Sequence, residues 1–320
     1  MWAAALVHGP CLTLGSIRAY VSDVWTVKGE IPMKSLIETL ADARRRQVAV
    51  GHFNFSELNA FKAIVESALE LKLPVMVGVS EGEREFIGVA ESAALVKTAR
   101  AQHGLPIFLN ADHTHSLAKA VEAAKAGFDE IIFDGSALPF DKNVEETRRA
   151  VEALKSINPG IVIEGEIGNI GSSSAILEQK PAGMSALSTP EEARQFVEAT
   201  KVDVLAPAVG NMHGMLESMV KGDEKKRLDL GLIGELSKAT GAFMTLHGGS
   251  GTNDDDFRTA IKNGMTIVHV NTEIRVAWRR GLEASLKAHP NEVAPYKILP
   301  AGVAAIKEIV SARLKLFNFM

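Results

Sequence analysis

Three histidines of this 320-residue chain end apolar runs and stand next to aspartate or glycine. They are His113, His213 and His247, in the segments NADH, NMHG and LHGGSG. Imidazoles at the C-terminal ends of separate strands can converge on one metal ion. Three protein ligands with an open fourth position are typical of catalytic zinc sites. We therefore predict one zinc ion held by these three histidines.

Asp112 directly precedes the first of these histidines. A carboxylate beside a metal-polarised substrate is well placed to move a proton, which makes Asp112 the candidate acid/base. The competing interpretation is that Asp112 only orients an imidazole ring.

His115 adds a second histidine to the segment Asp112-His-Thr-His115. A His-x-His pair is typical of metal-dependent hydrolases of the amidohydrolase type, which usually carry it after the first strand. Here it follows the third apolar run, so we expect that His115 does not bind metal and keep a zinc-dependent barrel hydrolase as the alternative. A non-catalytic metal-binding barrel is a third hypothesis, and the retention of Asp112 beside three ligands argues against it.

Glycines follow two of the three histidines: Gly214, Gly248 and Gly249, with Ser250 next to them. Because glycine has no Cβ, its backbone N–H group can approach an anion closely. In α/β barrels the loops after the last strands often form a phosphate site. We therefore expect a phosphorylated small molecule as substrate.

The elements that must position these residues alternate regularly from Met33 onward. Eight short apolar runs are separated by helical patterns, and the runs are Gln47–Phe53, Val75–Val79, Ile107–Leu109, Glu130–Phe133, Ile161–Glu164, Val202–Ala206, Ala242–Leu246 and Thr266–Val270. This alternation predicts an α/β fold, a single-domain (β/α)8 TIM barrel, with a doubly wound open sheet as the alternative. The amphipathic stretch Lys34–Arg46 is predicted to close the bottom of the barrel.

We divide the chain into three parts. Residues 33–290 form the predicted barrel, and residues 291–320 a C-terminal helical extension that packs on the barrel or on a neighbouring subunit. The apolar residues of segment 1–32 recur with no clear period. We interpret this segment as an extension that is disordered or not native, with a docked N-terminal arm as the alternative. The segments 168–188 and 210–229 are long enough to be lids or binding loops.

Composition excludes several classes of partner. The formal net charge of −4, from 35 basic and 39 acidic residues, predicts neither nucleic acid nor a membrane surface as partner. The single cysteine rules out an intrachain disulfide and is typical of a reducing, cytoplasmic location.

Several longer motifs together resemble one enzyme family. They are Asn110-Ala-Asp-His113, Phe133-Asp-Gly-Ser136, Glu164-Gly-Glu-Ile-Gly168, Asn211-Met-His-Gly214, Leu246-His-Gly-Gly-Ser250 and Asn271-Thr-Glu273. Their order and spacing are similar to those of the class II, zinc-dependent ketose-bisphosphate aldolases, which include the fructose- and tagatose-bisphosphate enzymes. The resemblance covers about Met33 to Ala288.

The resemblance implies a lyase that cleaves a ketose phosphate reversibly into dihydroxyacetone phosphate and an aldehyde, through an enediolate that zinc stabilises. It implies zinc at the three histidines, acid/base catalysis at the aldehyde oxygen by Asp112, and a homodimer or homotetramer. Substrate and phosphate contacts are implied for Gly214, Gly248, Gly249, Ser250, His269, Asn271 and Thr272. A further cation is implied, either a second divalent ion at Asp134 and Glu166 or a monovalent one.

The chain also departs from the family pattern. His269 stands where the family usually has an asparagine that touches the substrate. The loop after Gly168 lacks the glutamate pair of many fructose-type members, and Glu178 is the nearest acid, four residues beyond the expected place. The segment 215–228 also matches poorly. These departures leave the predicted metal centre intact and put the identity of the sugar in doubt.

Overall fold

The structure, a computed structural model, describes residues 33–171, 173–180 and 187–320. The predictions made for residues 1–32 therefore lie outside the described residues. Numbered in chain order, the described strands are β1 Val50–Asn54, β2 Val75–Val79, β3 Ile107–Thr114, β4 Glu130–Phe133, β5 Val162–Ile167, β6 Ile176–Leu177, β7 Val204–Pro207, β8 Met215–Leu216, β9 Phe243–Leu246 and β10 Met265–Val270.

Eight of these strands close into a parallel barrel. The spatial order is β1-β10-β9-β7-β5-β4-β3-β2, and β2 pairs with β1 to complete the ring. The predicted (β/α)8 barrel is thereby confirmed, and the open sheet is excluded. The remaining two strands, β6 and β8, pair with each other and so join the long segment after β5 to the one after β7.

Helices follow the strands around the outside of the barrel. The described helices are α1 Leu36–Arg46, α2 Leu58–Leu71, α3 Glu81–Ile87, α4 Val89–His103, α5 Leu117–Ala126, α6 Phe140–Ile157, α7 Pro190–Thr200, α8 Glu217–Lys221, α9 Leu230–Thr240, α10 Asp254–Lys262, α11 Thr272–Ala288, α12 Pro295–Ile298 and α13 Pro300–Phe317. Among the described helices, none is long and apolar enough to cross a membrane.

Helix α1 closes the N-terminal end of the barrel, as predicted. Its buried residues Leu36, Leu40 and Ala43 pack against the first inward side chains of the strands. The helix begins at a capping box, in which Ser35 and Glu38 each accept the other's backbone N–H. This apolar plug leaves the opposite, C-terminal end as the open mouth.

The C-terminal extension packs on the barrel. Helix α13 lies against α2 and α11 and buries Ile306, Val310 and Leu314 in the outer core. Its Arg313 also forms two hydrogen bonds with Glu273 at the start of α11. The extension therefore supports an element that borders the mouth.

The interior of the barrel becomes polar toward the mouth. Alternate residues of a strand point to the same face, so the inward positions can be followed upward from the plug. They run Val50-His52-Asn54 on β1, Phe108-Asn110-Asp112 on β3 and Val162-Glu164-Glu166 on β5. Barrel interiors are usually filled by branched apolar side chains. The buried polar layers therefore mark the C-terminal end as the functional site.

Candidate active site

A β-bulge in β3 turns two neighbouring residues into the mouth. The register with β4 advances by three residues on β3, from Ala111 to Thr114, and by only two on β4. Within this step His113 has a φ of 40°, in the left-handed region. Bulges are over-represented next to active sites, where they re-aim side chains. Here the bulge brings Asp112 and His113 to one site, although successive residues of a regular strand face opposite sides.

The three predicted metal-binding histidines converge in this mouth. Nε2 of His113 lies 3.1 Å from Nε2 of His213 and 3.2 Å from Nδ1 of His247. Two nitrogens that bind one tetrahedral zinc ion lie about 3.3 Å apart. A carboxylate oxygen of Glu166 joins the group, and the four ligand atoms all lie within 4.8 Å of one another. The donor set could therefore hold one divalent metal ion.

Two buried carboxylates orient these rings. Oδ2 of Asp134 lies 2.8 Å from Nδ1 of His113, and Oε1 of Glu164 lies 2.6 Å from Nε2 of His247. When a carboxylate accepts the proton of one ring nitrogen, the other nitrogen presents its lone pair to the metal. Asp134 is therefore placed to orient His113, and the second metal ion expected at Asp134 and Glu166 stays a prediction.

The carboxylates make this centre favourable for positive charge. Burial alone lowers the pKa of His113, but Asp112, Asp134 and Glu166 outweigh it and raise that pKa to about 10. Burial together with the neighbouring Asp134 raises the pKa of Glu166 to about 7. A site that favours a cation among imidazole rings is electrostatically suited to a metal ion.

Asp112 presents one free carboxylate oxygen to the mouth. Its Oδ2 accepts a hydrogen bond of 2.7 Å from Nδ2 of Asn54. Its Oδ1 is buried and has no hydrogen-bond partner within the described residues. Burial raises the pKa of Asp112, but His113, His52 and His247 outweigh it and hold the pKa well below its usual range. The free oxygen and the ionised state fit a proton acceptor, whereas the lowered pKa makes this carboxylate a weak base in the metal-free site.

His115 lies at the rim, outside the metal-binding group. Its side chain is 54% exposed, and its Nδ1 is 3.4 Å from the backbone oxygen of Asp134. The bulge explains the separation, because it directs His113 inward and lets the chain leave the barrel before His115. A His-x-His pair that shares one metal is therefore not formed.

A narrow cavity beside the histidines contains most of the predicted phosphate contacts. Its lining includes Gly214, Gly248, Ser250, His269, Asn271 and Thr272, together with Asp112 and His213. Gly248 has a φ of 60°, and a Cβ there would lie 2.2 Å from the Met212 carbonyl oxygen. Gly249 is the exception among the predicted contacts. It donates its N–H to the His269 carbonyl at 3.0 Å, and a Cβ would lie 2.6 Å from that oxygen, so it allows close packing of β10.

The cavity offers donors suited to an anion. Within the described residues, the backbone N–H groups of Gly214, Gly248 and Ser250 have no hydrogen-bond acceptor. The hydroxyl oxygen of Ser250 accepts the N–H groups of Asn271 and Glu273, both at 3.2 Å, which leaves the hydroxyl proton free to donate. Backbone and hydroxyl donors at a helix start are typical of phosphate sites.

Comparison with known proteins identifies the family. The sequence profile described as fructose-bisphosphate aldolase class-II matches residues 34–320. The chain belongs to this family. It is 33% identical over 291 residues to a probable fructose-bisphosphate aldolase of Bacillus subtilis strain 168, covering 90% of this chain and 98% of the relative. It is also 31% identical over 281 residues to a sulfofructosephosphate aldolase of Alkalicoccus urumqiensis, covering 87% and 94%.

Solved structures agree with the fold. The YdjI aldolase from Escherichia coli K12 superposes with a TM-score of 0.74 at 24% identity, over 88% of this chain and 96% of that one. Family membership confirms the predicted activity: this protein is a lyase that performs aldol cleavage. The hydrolase alternative is not favoured.

One feature of this aldolase was missed by sequence reasoning. His52 on β1 is fully buried and stacks on His269 of the neighbouring β10, with ring centroids 3.5 Å apart and an interplanar angle of 7°. His269 stacks in turn on His247, at 4.2 Å. Gly78 on β2 makes the space, since a Cβ there would lie 2.2 Å from the His52 ring. His269 lines the narrow cavity and is supported by a second imidazole on the adjacent strand, and its predicted contact with substrate stays a prediction.

The long segment after β5 covers part of the cavity. The backbone oxygen of Ser174 accepts the hydroxyl proton of Thr272 at 3.2 Å, and a Cβ at Gly214 would lie 2.7 Å from the oxygen of Ala175. Glu178, the nearest acid to the missing family glutamate, is exposed. The described part of this segment therefore contributes backbone and serine groups to the site.

Proposed function

We propose that this aldolase binds one zinc ion through His113, His213 and His247 and cleaves a ketose phosphate into dihydroxyacetone phosphate and an aldehyde. The observation that carries the proposal is the convergence of three imidazole nitrogens beside a carboxylate with a free oxygen, in which the His113 nitrogen lies 3.1 Å and 3.2 Å from the other two. Zinc bound there supplies a Lewis acid that polarises the ketone of the substrate.

Asp112 is the group placed to move the proton. In the cleavage direction its free Oδ1 accepts the proton of the hydroxyl group that becomes the aldehyde oxygen. The bond between the two carbon atoms then breaks, and its electron pair stays with the half that becomes dihydroxyacetone phosphate. That carbon takes up one proton from water and Asp112 releases its proton to water, so the cleavage consumes no net proton. In the reverse direction Asp112 returns the proton to the aldehyde oxygen. Asn54 holds the other carboxylate oxygen and so fixes the plane in which Asp112 acts.

The phosphate of the dihydroxyacetone half is proposed to lie against Gly214, Gly248, Ser250 and Thr272. All four residues line the cavity that also contains His213 and Asp112, and the donors of Gly214, Gly248 and Ser250 have no acceptor within the described residues. The distance between phosphate and reacting carbon is short in such a substrate, so the phosphate site and the metal centre must adjoin. The phosphate lies away from the bond that breaks, so the free energy of binding it is similar in the ground state and in the transition state.

The aldehyde half is proposed to lie in a larger cavity of about 590 Å³ that shares Asn54 with the phosphate cavity. Its walls are mainly apolar and include Phe86, Trp278 and Ile306. The lining also contains Arg275 and Arg279, which form ion pairs with Glu83 and Glu283. The mainly apolar area of these walls favours an aldehyde with an apolar body. The relatives are named for two different sugars, fructose bisphosphate and sulfofructose phosphate, so the sugar differs among proteins similar to this chain.

The decisive experiment is a coupled assay for dihydroxyacetone phosphate across a panel of ketose phosphates and bisphosphates, with and without a chelator. We expect release from at least one member, loss of release with the chelator, and recovery with zinc. Release that persists after complete metal removal would overturn the zinc proposal. Absence of release from every member of the panel would overturn the substrate class. A homodimer or homotetramer, and a cytoplasmic location, stay predictions.

A further inference from the structure

A buried lysine joins the two loops that carry metal-binding histidines. Lys226 lies between α8 and α9, and only 4% of its surface is exposed. Its ammonium group donates to the carbonyl oxygens of Met212 at 2.7 Å, Gly214 at 2.7 Å and Gly248 at 2.9 Å. The first two carbonyls flank His213, and the third follows His247. One side chain therefore contacts both loops.

The three contacts match an ammonium group and not a neutral amine. An ammonium has three N–H donors, one for each carbonyl, whereas a neutral amine has two donors and would turn its lone pair toward a carbonyl oxygen. No carboxylate forms an ion pair with Lys226 within the described residues. Burial lowers its pKa to about 7, with Glu273 acting in the opposite direction. The three carbonyl dipoles take the place of water around the charge.

The backbone of Lys226 is fixed as well. Its N–H donates to the oxygen of Gly251 at 2.8 Å, and its own carbonyl accepts from Asn253 at 3.2 Å. This forms a parallel bridge between Lys226 and Thr252. The side chain therefore starts from a defined point beside the second loop and reaches the first, and the contact is part of the fold.

We propose that the Lys226 ammonium is a built-in monovalent cation that ties the His213 and His247 loops into one unit. Rings of backbone carbonyls are the ligands that replace the hydration shell of potassium in proteins. Here the same kind of cage holds a tethered charge, so the loops need no ion from solution. The part of the proposal that concerns phosphate binding rests on the proposed function, because Gly214 and Gly248 supply its donors.

Two consequences follow for the site. The loops keep their relative position, so the histidines and the free N–H groups of the phosphate cavity stay aligned before substrate arrives. A fixed positive charge beside the cavity also attracts the phosphate dianion. We therefore expect the wild-type protein to be indifferent to the monovalent cation in the buffer, and a variant without the ammonium to become dependent on it.

The test compares wild type, Lys226→Ala and Lys225→Ala in chloride salts of tetramethylammonium, sodium, potassium and ammonium at equal ionic strength. Lys225 is the exposed neighbour and serves as the matched control. Melting temperature, zinc content and the affinity for inorganic phosphate are measured. In tetramethylammonium we expect Lys226→Ala to melt earlier and to bind phosphate at least ~10-fold more weakly, as for the loss of a charged hydrogen-bond donor. Potassium or ammonium should restore part of both properties in this variant alone.

The wild-type arm decides the question even if Lys226→Ala does not fold. A saturable gain in phosphate affinity or melting temperature when potassium replaces tetramethylammonium in the wild type would mean that an external ion is used, and would overturn the proposal. Unchanged phosphate affinity and melting temperature in a folded Lys226→Ala would overturn it too. Melting needs no turnover, so these results stay informative if the assay for ketose cleavage fails.

Discussion

The Glu164→Gln substitution removes the carboxyl group that orients His247, and with it the charge that this group can take on when zinc binds, and leaves the shape of the site almost unchanged. Oε1 of Glu164 lies 2.6 Å from Nε2 of His247, and both side chains are 0% exposed. Glutamine can still accept this hydrogen bond through its amide oxygen. The substitution therefore tests the carboxylate charge, because only a charged acceptor increases the basicity of the ring at Nδ1.

The expected loss of zinc affinity can be estimated from the buried contact between Glu164 and His247. Charge-assisted hydrogen bonds are roughly twice as strong as neutral ones, and loss of a carboxylate behind a metal-binding imidazole typically costs about 10–100-fold in metal affinity. That range corresponds to about 1.4–2.7 kcal/mol of zinc binding free energy. Complete burial of this pair excludes the solvent screening that weakens surface pairs. We therefore expect the zinc dissociation constant to rise by about 10–100-fold.

Zinc affinity is measured by competition with a chromogenic chelator, in wild type, Glu164→Gln and Glu130→Gln. Glu130 is the matched control, because it is equally buried and accepts a hydrogen bond from Asn110 at 2.6 Å but contacts none of the three histidines proposed to bind zinc. Burial raises the pKa of Glu164, so zinc binding must displace a proton and wild-type affinity should increase with pH. Equal zinc affinities in the wild type and Glu164→Gln, or equal losses in the two variants, would refute the orienting role.

The remaining predictions concern the proton, the phosphate and the sugar. Asp112→Ala should lower kcat by about 10²–10⁴-fold while zinc content stays at the wild-type value, and loss of zinc would instead make Asp112 a structural support of the metal. Ser250→Ala should raise KM for a phosphorylated ketose more than it lowers kcat. It should also lower the melting temperature, because the hydroxyl oxygen accepts two backbone N–H groups; an unchanged KM would argue against a phosphate contact. His269→Asn should change the ratio of kcat/KM between fructose 1,6-bisphosphate and other ketose phosphates, and an unchanged ratio would remove His269 as a specificity residue.

The barrel could be predicted because its strands are buried on both faces and its helices are amphipathic. The bounds of β2 and β4 agree with the predicted runs to the residue. β3 was predicted to end at Leu109 but continues to Thr114, because the inward residues beyond that point are polar and resemble the end of a strand. Helix α3 was missed because its seven residues are mostly charged and the chain turns at Gly88 before α4.

The histidine centre could be predicted because three imidazoles at strand ends form a recognisable pattern. His52 could not, because one histidine in an apolar run is most simply a core residue. The alternation of side chains along β1 was the available signal, because it places His52 on the same inward face as Asn54. The His52 ring packs over Gly78 on β2, which is the register partner of Asn54. Lys226 could not be recognised either, since it lies in the charged run Asp223–Arg227, which is typical of a solvated surface. Only tertiary packing separates this buried lysine from its exposed neighbours.

The stack of His52 on His269 determines how the specificity experiment must be interpreted. The two residues are direct register partners on β1 and β10, so their rings support each other across adjacent strands. Asparagine at position 269 is smaller and would leave one face of the His52 ring uncovered, which changes packing as well as hydrogen bonding. Aromatic contacts of this kind contribute about 0.5–1.5 kcal/mol. His52→Ala with His269 retained removes the support but keeps the side chain that faces the cavity. A specificity change seen in His269→Asn and absent in His52→Ala therefore belongs to the substrate contact itself, whereas a shared change belongs to the stack.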